Sequence, residues 1–106
     1  MPTTDDLELG HFSDPPMLIL ASLASGPKDA HAMAEDVALL CGARLRLGTL
    51  YGAIYRLEEQ GLVKPLPQKE RSRQYRITAK GARVLRARLV TLRRFTEAGW
   101  KRVQSL

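Results

Sequence analysis

A single cysteine, Cys41, and two histidines, His11 and His31, are all that this 106-residue sequence holds of the residue types that staple a small protein or bind a metal. One thiol excludes an internal disulfide and a multi-thiolate metal site. It leaves Cys41 to be read as a small buried apolar residue at a helix end, with a redox sensor as the alternative. His31, whose only fellow is His11, is expected at the surface or half-buried and not as a ligand. There are no paired carboxylates beside an apolar run, no phosphate-binding glycine loop and no metal-ligand spacing, so neither an enzyme nor a cofactor is expected. No apolar run approaches the ~20 residues of a membrane span, and the opening stretch MPTTDDLELGHF is acidic without a basic and apolar leader. The expectation is a soluble, cytoplasmic protein with no membrane partner.

What the chain does have is positive charge, unevenly placed. Residues 1–40 carry one lysine against seven carboxylates, a balance of −6, whereas residues 41–106 carry sixteen Lys and Arg against four glutamates, a balance of +12. An asymmetry of this kind points to a polyanionic partner, although a generic basic surface has the same signature. The length allows one domain with a modest core.

The basic half begins with the stretch that organises the rest, GTLYGAIYRLEEQGLV from Gly48 to Val63. At about 100° per residue, Leu50, Ala53, Ile54 and Leu57 share one helical face, and Gly48, Gly52, Tyr55, Arg56 and Glu59 lie around the other. Two glycines on an outer face cost about 1 kcal/mol each relative to alanine, and Tyr51 and Tyr55 are large for a solvent face. The combination suits a nucleic-acid reading surface, in which glycines admit a backbone while two phenols and one guanidinium offer hydrogen bonds. The plainer alternative is that both tyrosines pack against neighbouring helices. Gly61 fits a left-handed helix stop.

Upstream, residues 1–13 show little pattern and are expected to form a mobile arm, with a short adapter as the alternative. Asp14-Pro15 supplies an N-cap and a favoured first residue for a helix through MLILASLAS. That helix is apolar almost all round, and the expectation is that a second subunit covers part of it, through Leu18 and Leu20. Asp29 caps a second helix to about Leu40, with Met33, Val37 and Leu40 as its stripe and Gly42 as its stop. Residues 43–46 could form a brief strand.

Downstream, Leu62 to Leu66 and Gln74 to Ile77 read as a hairpin whose connection, PQKERSR, carries Lys69, Arg71 and Arg73. A hairpin with a basic tip placed after a helix with a readable outer face is the order of a winged helix-turn-helix, although a solvated charged turn would read the same. From Thr78 to Leu106 the chain runs without proline. Leu85, Leu89, Leu92, Thr96, Gly99, Val103 and Leu106 alternate steps of four and three, a heptad-like seam flanked by Phe95 and Trp100, which is expected to join two subunits. Its opposite side, with Arg83, Arg86, Arg88, Arg93, Arg94 and Arg102, reads as a solvated face.

The pair GTLYGAIYRLEEQGLV and QYRITAKG resembles the PadR family of bacterial transcriptional regulators, over roughly Pro16 to Val103. The resemblance implies a winged helix-turn-helix with a C-terminal dimerisation helix, in a homodimeric and usually repressing regulator. Thr49, Tyr51 and Arg56 match the family's recognition helix, and Arg71, Arg73 and Tyr75 match its basic wing and following strand. Gly52 stands where the family commonly has proline, the wing lacks the usual glycine, and the HGY-like entry to the second helix reads Asp29-Ala30-His31. The single C-terminal helix is similar to the short-chain branch, which implies a possible small-molecule effector. The expected architecture is thus mainly α with a small β wing, divided into an arm (1–13), a winged-helix DNA-binding domain (14–77) and a dimerisation helix (78–106). The expected function is a homodimeric repressor on a palindromic duplex DNA operator, touching DNA through Gly48, Thr49, Tyr51, Gly52, Tyr55, Arg56, Lys69, Arg71, Arg73 and Tyr75. Its expected dimer interface is Leu18, Leu20, Leu85, Leu89, Leu92, Phe95, Trp100, Val103 and Leu106. The alternative is a basic winged-helix module that binds RNA or a protein.

Overall fold

The computed structural model describes residues 14–42, 44–68 and 71–106. The expected arm, His11, Ala43 and Lys69 lie outside them. In chain order the elements are α1 (Pro15–Ala24), β1 (Lys28–Asp29), α2 (Ala30–Cys41), α3 (Leu47–Glu59), β2 (Val63–Pro65), β3 (Gln74–Ile77) and α4 (Ala79–Gln104). The result is mainly helical with a small antiparallel sheet in the order β1-β3-β2.

Local chemistry sets most of the boundaries. The Asp14 carboxylate accepts the Met17 N–H at 3.3 Å and prolines fill the first helical positions, so α1 starts where a missing proline N–H does no harm. Its C-terminal end is held by Lys28, whose ammonium donates to the Ser22 carbonyl and to Ser25 Oγ, a cation on the negative end of the helix. Asp29 caps α2 through the Ala32 N–H at 2.8 Å, and Gly42 closes it in the left-handed region at φ 76°. Gly61, at φ 74°, ends α3 in the same way.

The core is built around α1. α2, α3, α4 and β3 all pack on it, and Ile19 and Leu23 meet Met33, Leu50, Ile54 and Leu57. This corrects the expectation drawn from its all-round apolarity. Leu18 and Leu20 are buried within one subunit, as is Leu85 from the first turns of α4, so none of the three is left for a partner to cover. The Ser22 hydroxyl is enclosed there without a hydrogen-bond partner among the described residues.

Three smaller expectations also change. Arg44 to Arg46 form no strand; they are the turn between α2 and α3, with Leu45 packed on the core. The third strand is β1, where Lys28 and Asp29 pair with Tyr75 and Gln74. Leu40 does not continue the buried stripe of α2, because Ala30, Met33, Ala34 and Val37 already span the core's width and the last turn projects beyond it. Cys41, in that last turn, is half-buried.

The joint between α3 and α4 is close. Thr78 Oγ accepts the Gly81 N–H at 3.0 Å, which caps α4, and donates to the Gly61 carbonyl at 2.7 Å. The Thr78 N–H reaches the Leu62 carbonyl at 3.0 Å, and Lys80 Nζ reaches the Gln60 carbonyl at 2.9 Å. Beyond Leu85 the helix leaves the core, giving the molecule extents of 55 × 28 × 20 Å. Among the described residues no helix is long and apolar enough to cross a membrane.

Candidate nucleic-acid interface

The sequence of α3 sorts its own faces. Leu50, Ala53, Ile54 and Leu57 are all buried, which anchors the helix across its full length. On the other side Gly48, Thr49, Tyr55 and Arg56 are exposed and Gly52 is half-exposed. Among the described residues a β-carbon at Gly48 or Gly52 would meet nothing within 4 Å, so no packing between them calls for glycine at either place. Tyr51 is 49% exposed and Tyr55 63%; neither is enclosed by neighbouring helices. The N-cap of the helix, Arg46, makes no side-chain cap hydrogen bond to its first amides.

The wing grows from β2 and β3, paired Val63 to Ile77, Lys64 to Arg76 and Pro65 to Tyr75. The Leu66 N–H extends the ladder to the Gln74 carbonyl at 2.8 Å. Arg73 is more than a projecting charge. Its guanidinium donates to the Leu66 carbonyl at 3.0 Å and to Gln68 Oε1 at 3.3 Å, while Gln68 Nε2 donates to the Arg71 carbonyl at 3.3 Å. These bonds tie the two arms of the wing together around its turn. Arg71 is exposed at that turn.

Of the expected contact residues, Tyr51, Arg71, Arg73 and Tyr75 are brought around one cleft of about 270 Å³, joined by Asp29 and His31. Tyr55 and Arg56 lie further along α3 and outside it. Tyr75 is half-buried against the core. Burial, followed by the carboxylate of Glu58 and the phenol of Tyr51, pushes its own phenol above the ordinary value, against a pull from Arg73. It therefore stays an O–H donor at neutral pH. His31 was legible only as a surface histidine. What brings it to the cleft is the two-residue β1, which docks the start of α2 beside Tyr75 and has no sequence periodicity of its own.

The α4 surface divides as well. Phe95 is 71% exposed, Trp100 66% and Val103 57%, Leu89 and Leu106 are also exposed, and Leu92 is half-buried. Arg83, Arg86, Arg93, Arg94 and Arg102 are exposed, and Arg88 sits 3.5 Å from Asp14.

Comparison with known proteins places this arrangement. The model of the Transcriptional regulator PadR-like family matches residues 19–87. An uncharacterized 37.1 kDa protein in transposon TN4556 of Streptomyces fradiae is 41% identical over 73 residues, which is 69% of this chain and 21% of that protein. The chain thus spans about a fifth of the length of that relative. The crystal structure of a PadR family transcriptional regulator from Eggerthella lenta DSM 2243 superposes with a TM-score of 0.73 at 28% identity, covering 86% of this chain and 82% of that one. A PadR family transcription regulator from Clostridium difficile R20291 gives a TM-score of 0.73 at 22% identity over 79% and 92% of the two chains, a likeness of fold.

Proposed function

Because the chain belongs to the PadR-like family, whose members are transcription regulators and not enzymes, we propose that it is a homodimeric repressor that reads a palindromic stretch of duplex DNA. The observation that carries the reading is the two-sided character of α3. Its inner face is buried from Leu50 to Leu57, while its outer face presents two glycines with open space above them, two tyrosines and an arginine. A helix of that kind enters a major groove with its backbone close to the bases, and the wing then meets the flanking sugar-phosphate strand. Residues 14–77 bind DNA in this reading, through Gly48, Thr49, Tyr51, Gly52, Tyr55, Arg56, Arg71, Arg73 and Tyr75, with Lys69 at the same turn. Residues 78–106 pair two subunits through Leu89, Leu92, Phe95, Trp100, Val103 and Leu106. Two copies so joined set their α3 helices to half-sites about one helical turn, near 34–36 Å, apart.

A small-molecule effector belongs to the same proposal. A hollow of about 510 Å³ lies between α1, α3 and α4, bedded on Met17, Leu20, Leu57 and Leu85 and edged by the Asp14–Arg88 ion pair. A ligand there touches both the end of α3 and the start of α4, and so acts on the angle between DNA-reading and pairing elements.

Selection of bound duplexes from a random pool tests the proposal. The expected product is an inverted repeat that footprints as two symmetric half-sites. Enrichment of no duplex, with retention of RNA or of a protein partner instead, would overturn it in favour of the module that the same basic surface also fits.

A further inference from the structure

The cleft between α2 and the wing holds more donors than a reading helix needs. His31 comes from α2, Tyr51 from α3, Tyr75 from β3, and Arg71 and Arg73 from the wing, so four separate segments bring residues that carry hydrogen-bond donors to the border of about 270 Å³. Two carboxylates stand near His31, Asp29 at the end of β1, which also lines the cleft, and Glu35 one turn further on in α2, and both are engaged. Asp29 accepts the Ala32 N–H at 2.8 Å, and Glu35 is bound by Arg44 at 3.0 Å. A base edge presents donors and acceptors in a plane and is read from an open helix face. A rim made of phenols, an imidazole and guanidinia, set to one side of that face, suits a compact anion with several acceptor oxygens.

Resting on the DNA-binding reading above, we propose that this cleft seats one phosphate of the DNA backbone and that His31 is a contact residue for it. The imidazole donates a ring N–H to a phosphate oxygen, with Arg71 supplying charge and the Tyr51 and Tyr75 hydroxyls completing the shell. The wing bonds of Arg73 to Leu66 and Gln68 hold the far wall in place and leave further N–H groups of its fork for the anion. Such a contact carries no base information. It fixes where along the strand the protein sits, and so sets the register in which α3 meets the groove.

The test begins with the full chain and a mixed-sequence duplex at low salt, followed by fluorescence anisotropy. If the wild type binds no duplex, the DNA-binding reading falls and this assignment falls with it. Given binding, His31→Ala is expected to weaken affinity about ten- to a hundredfold, the loss of one hydrogen bond to a charged group. His31→Gln, which keeps an N–H donor, should recover most of it. Unchanged affinity in His31→Ala, with the wild type still binding, overturns the assignment alone. On a selected operator, neutral methylphosphonate substitution at one position should weaken the wild type and leave His31→Ala indifferent; additive losses at every position would place His31 away from the backbone. Inorganic phosphate without DNA distinguishes the other source of the same chemistry. Saturable shifts of the His31 imidazole signals below about 1 mM phosphate, at constant ionic strength, would assign the cleft to a soluble phosphate compound and overturn the backbone seat.

Discussion

A β-carbon at Gly81 would fall on the Leu62 carbonyl and crowd Ile77, and a backbone carbonyl held by the Thr78 N–H cannot step aside. Gly81→Ala is therefore expected to destabilise the fold by about 1–3 kcal/mol through overpacking, although alanine is the better helix former. Thermal unfolding followed by circular dichroism measures it, and an unchanged midpoint would mean that α4 does not pack on Leu62 as described. Tyr75 gives a second prediction with a definite sign. Its folded pKa is raised above 10.0 by burial first and by Glu58 and Tyr51 next. The stability it contributes is thus present below pH 10 and lost as pH rises through the folded value. Wild-type stability should fall more steeply above pH 10 than that of Tyr75→Phe, and parallel curves in alkaline unfolding would refute the burial of this phenol. Neither residue's role was legible beforehand. The sequence displays the glycine in TAKG but not the carbonyl opposite it.

At the level of elements, legibility followed local chemistry. Asp14-Pro15, Asp29 and Thr78 each begin a helix because the side chain that satisfies the first amides is adjacent in sequence, and the stripe of α3 is buried residue for residue as its period requires. The third strand was not legible, because two residues have no period and β1 exists only through its pairing with β3. The wing shows the same divide. Its basic residues are evident in the sequence, but the bonds of Arg73 to Leu66 and Gln68 are not. Those bonds separate two arginines that composition treats alike. Arg71→Ala should weaken binding to every duplex and lower the salt dependence by about 0.9 in log-log slope, one counterion's worth. Arg73→Ala should in addition loosen the turn, seen as faster amide exchange at Leu66 and Gln68. Exchange unaffected by Arg73→Ala would leave it as a phosphate contact and nothing more.

For the whole molecule, the sequence announces excess apolar surface without saying what covers it. The size of a 106-residue chain argues for a partner over Leu18, Leu20 and Leu85, yet α1 lies at the centre and its neighbours in the same subunit close over it. The exposed remainder is distal, from Leu89 to Leu106, with Phe95 and Trp100 as its largest members. Ending the chain at Arg94 removes most of that seam and none of the buried core. The truncated protein should keep its fold, run as a monomer in light scattering at micromolar concentration and bind an operator much more weakly. A monomeric full-length protein under the same conditions would remove the pairing role from α4.

The joint at Gly61, Leu62 and Thr78 gives α4 the character of a calliper leg. With the end of α3 pinned to the root of α4 by side-chain and backbone bonds, the two helices form one bent lever. A 26-residue helix is about 39 Å long, so a tilt of about 10° at the root carries its tip about 7 Å. That is on the order of two base-pair steps. In the proposed dimer, a small change of packing beside Leu62, whether from Gly81→Ala or from a molecule wedged under Leu57, would be read out at DNA as a change of gauge between half-sites, with every contact inside each half-site left as it was.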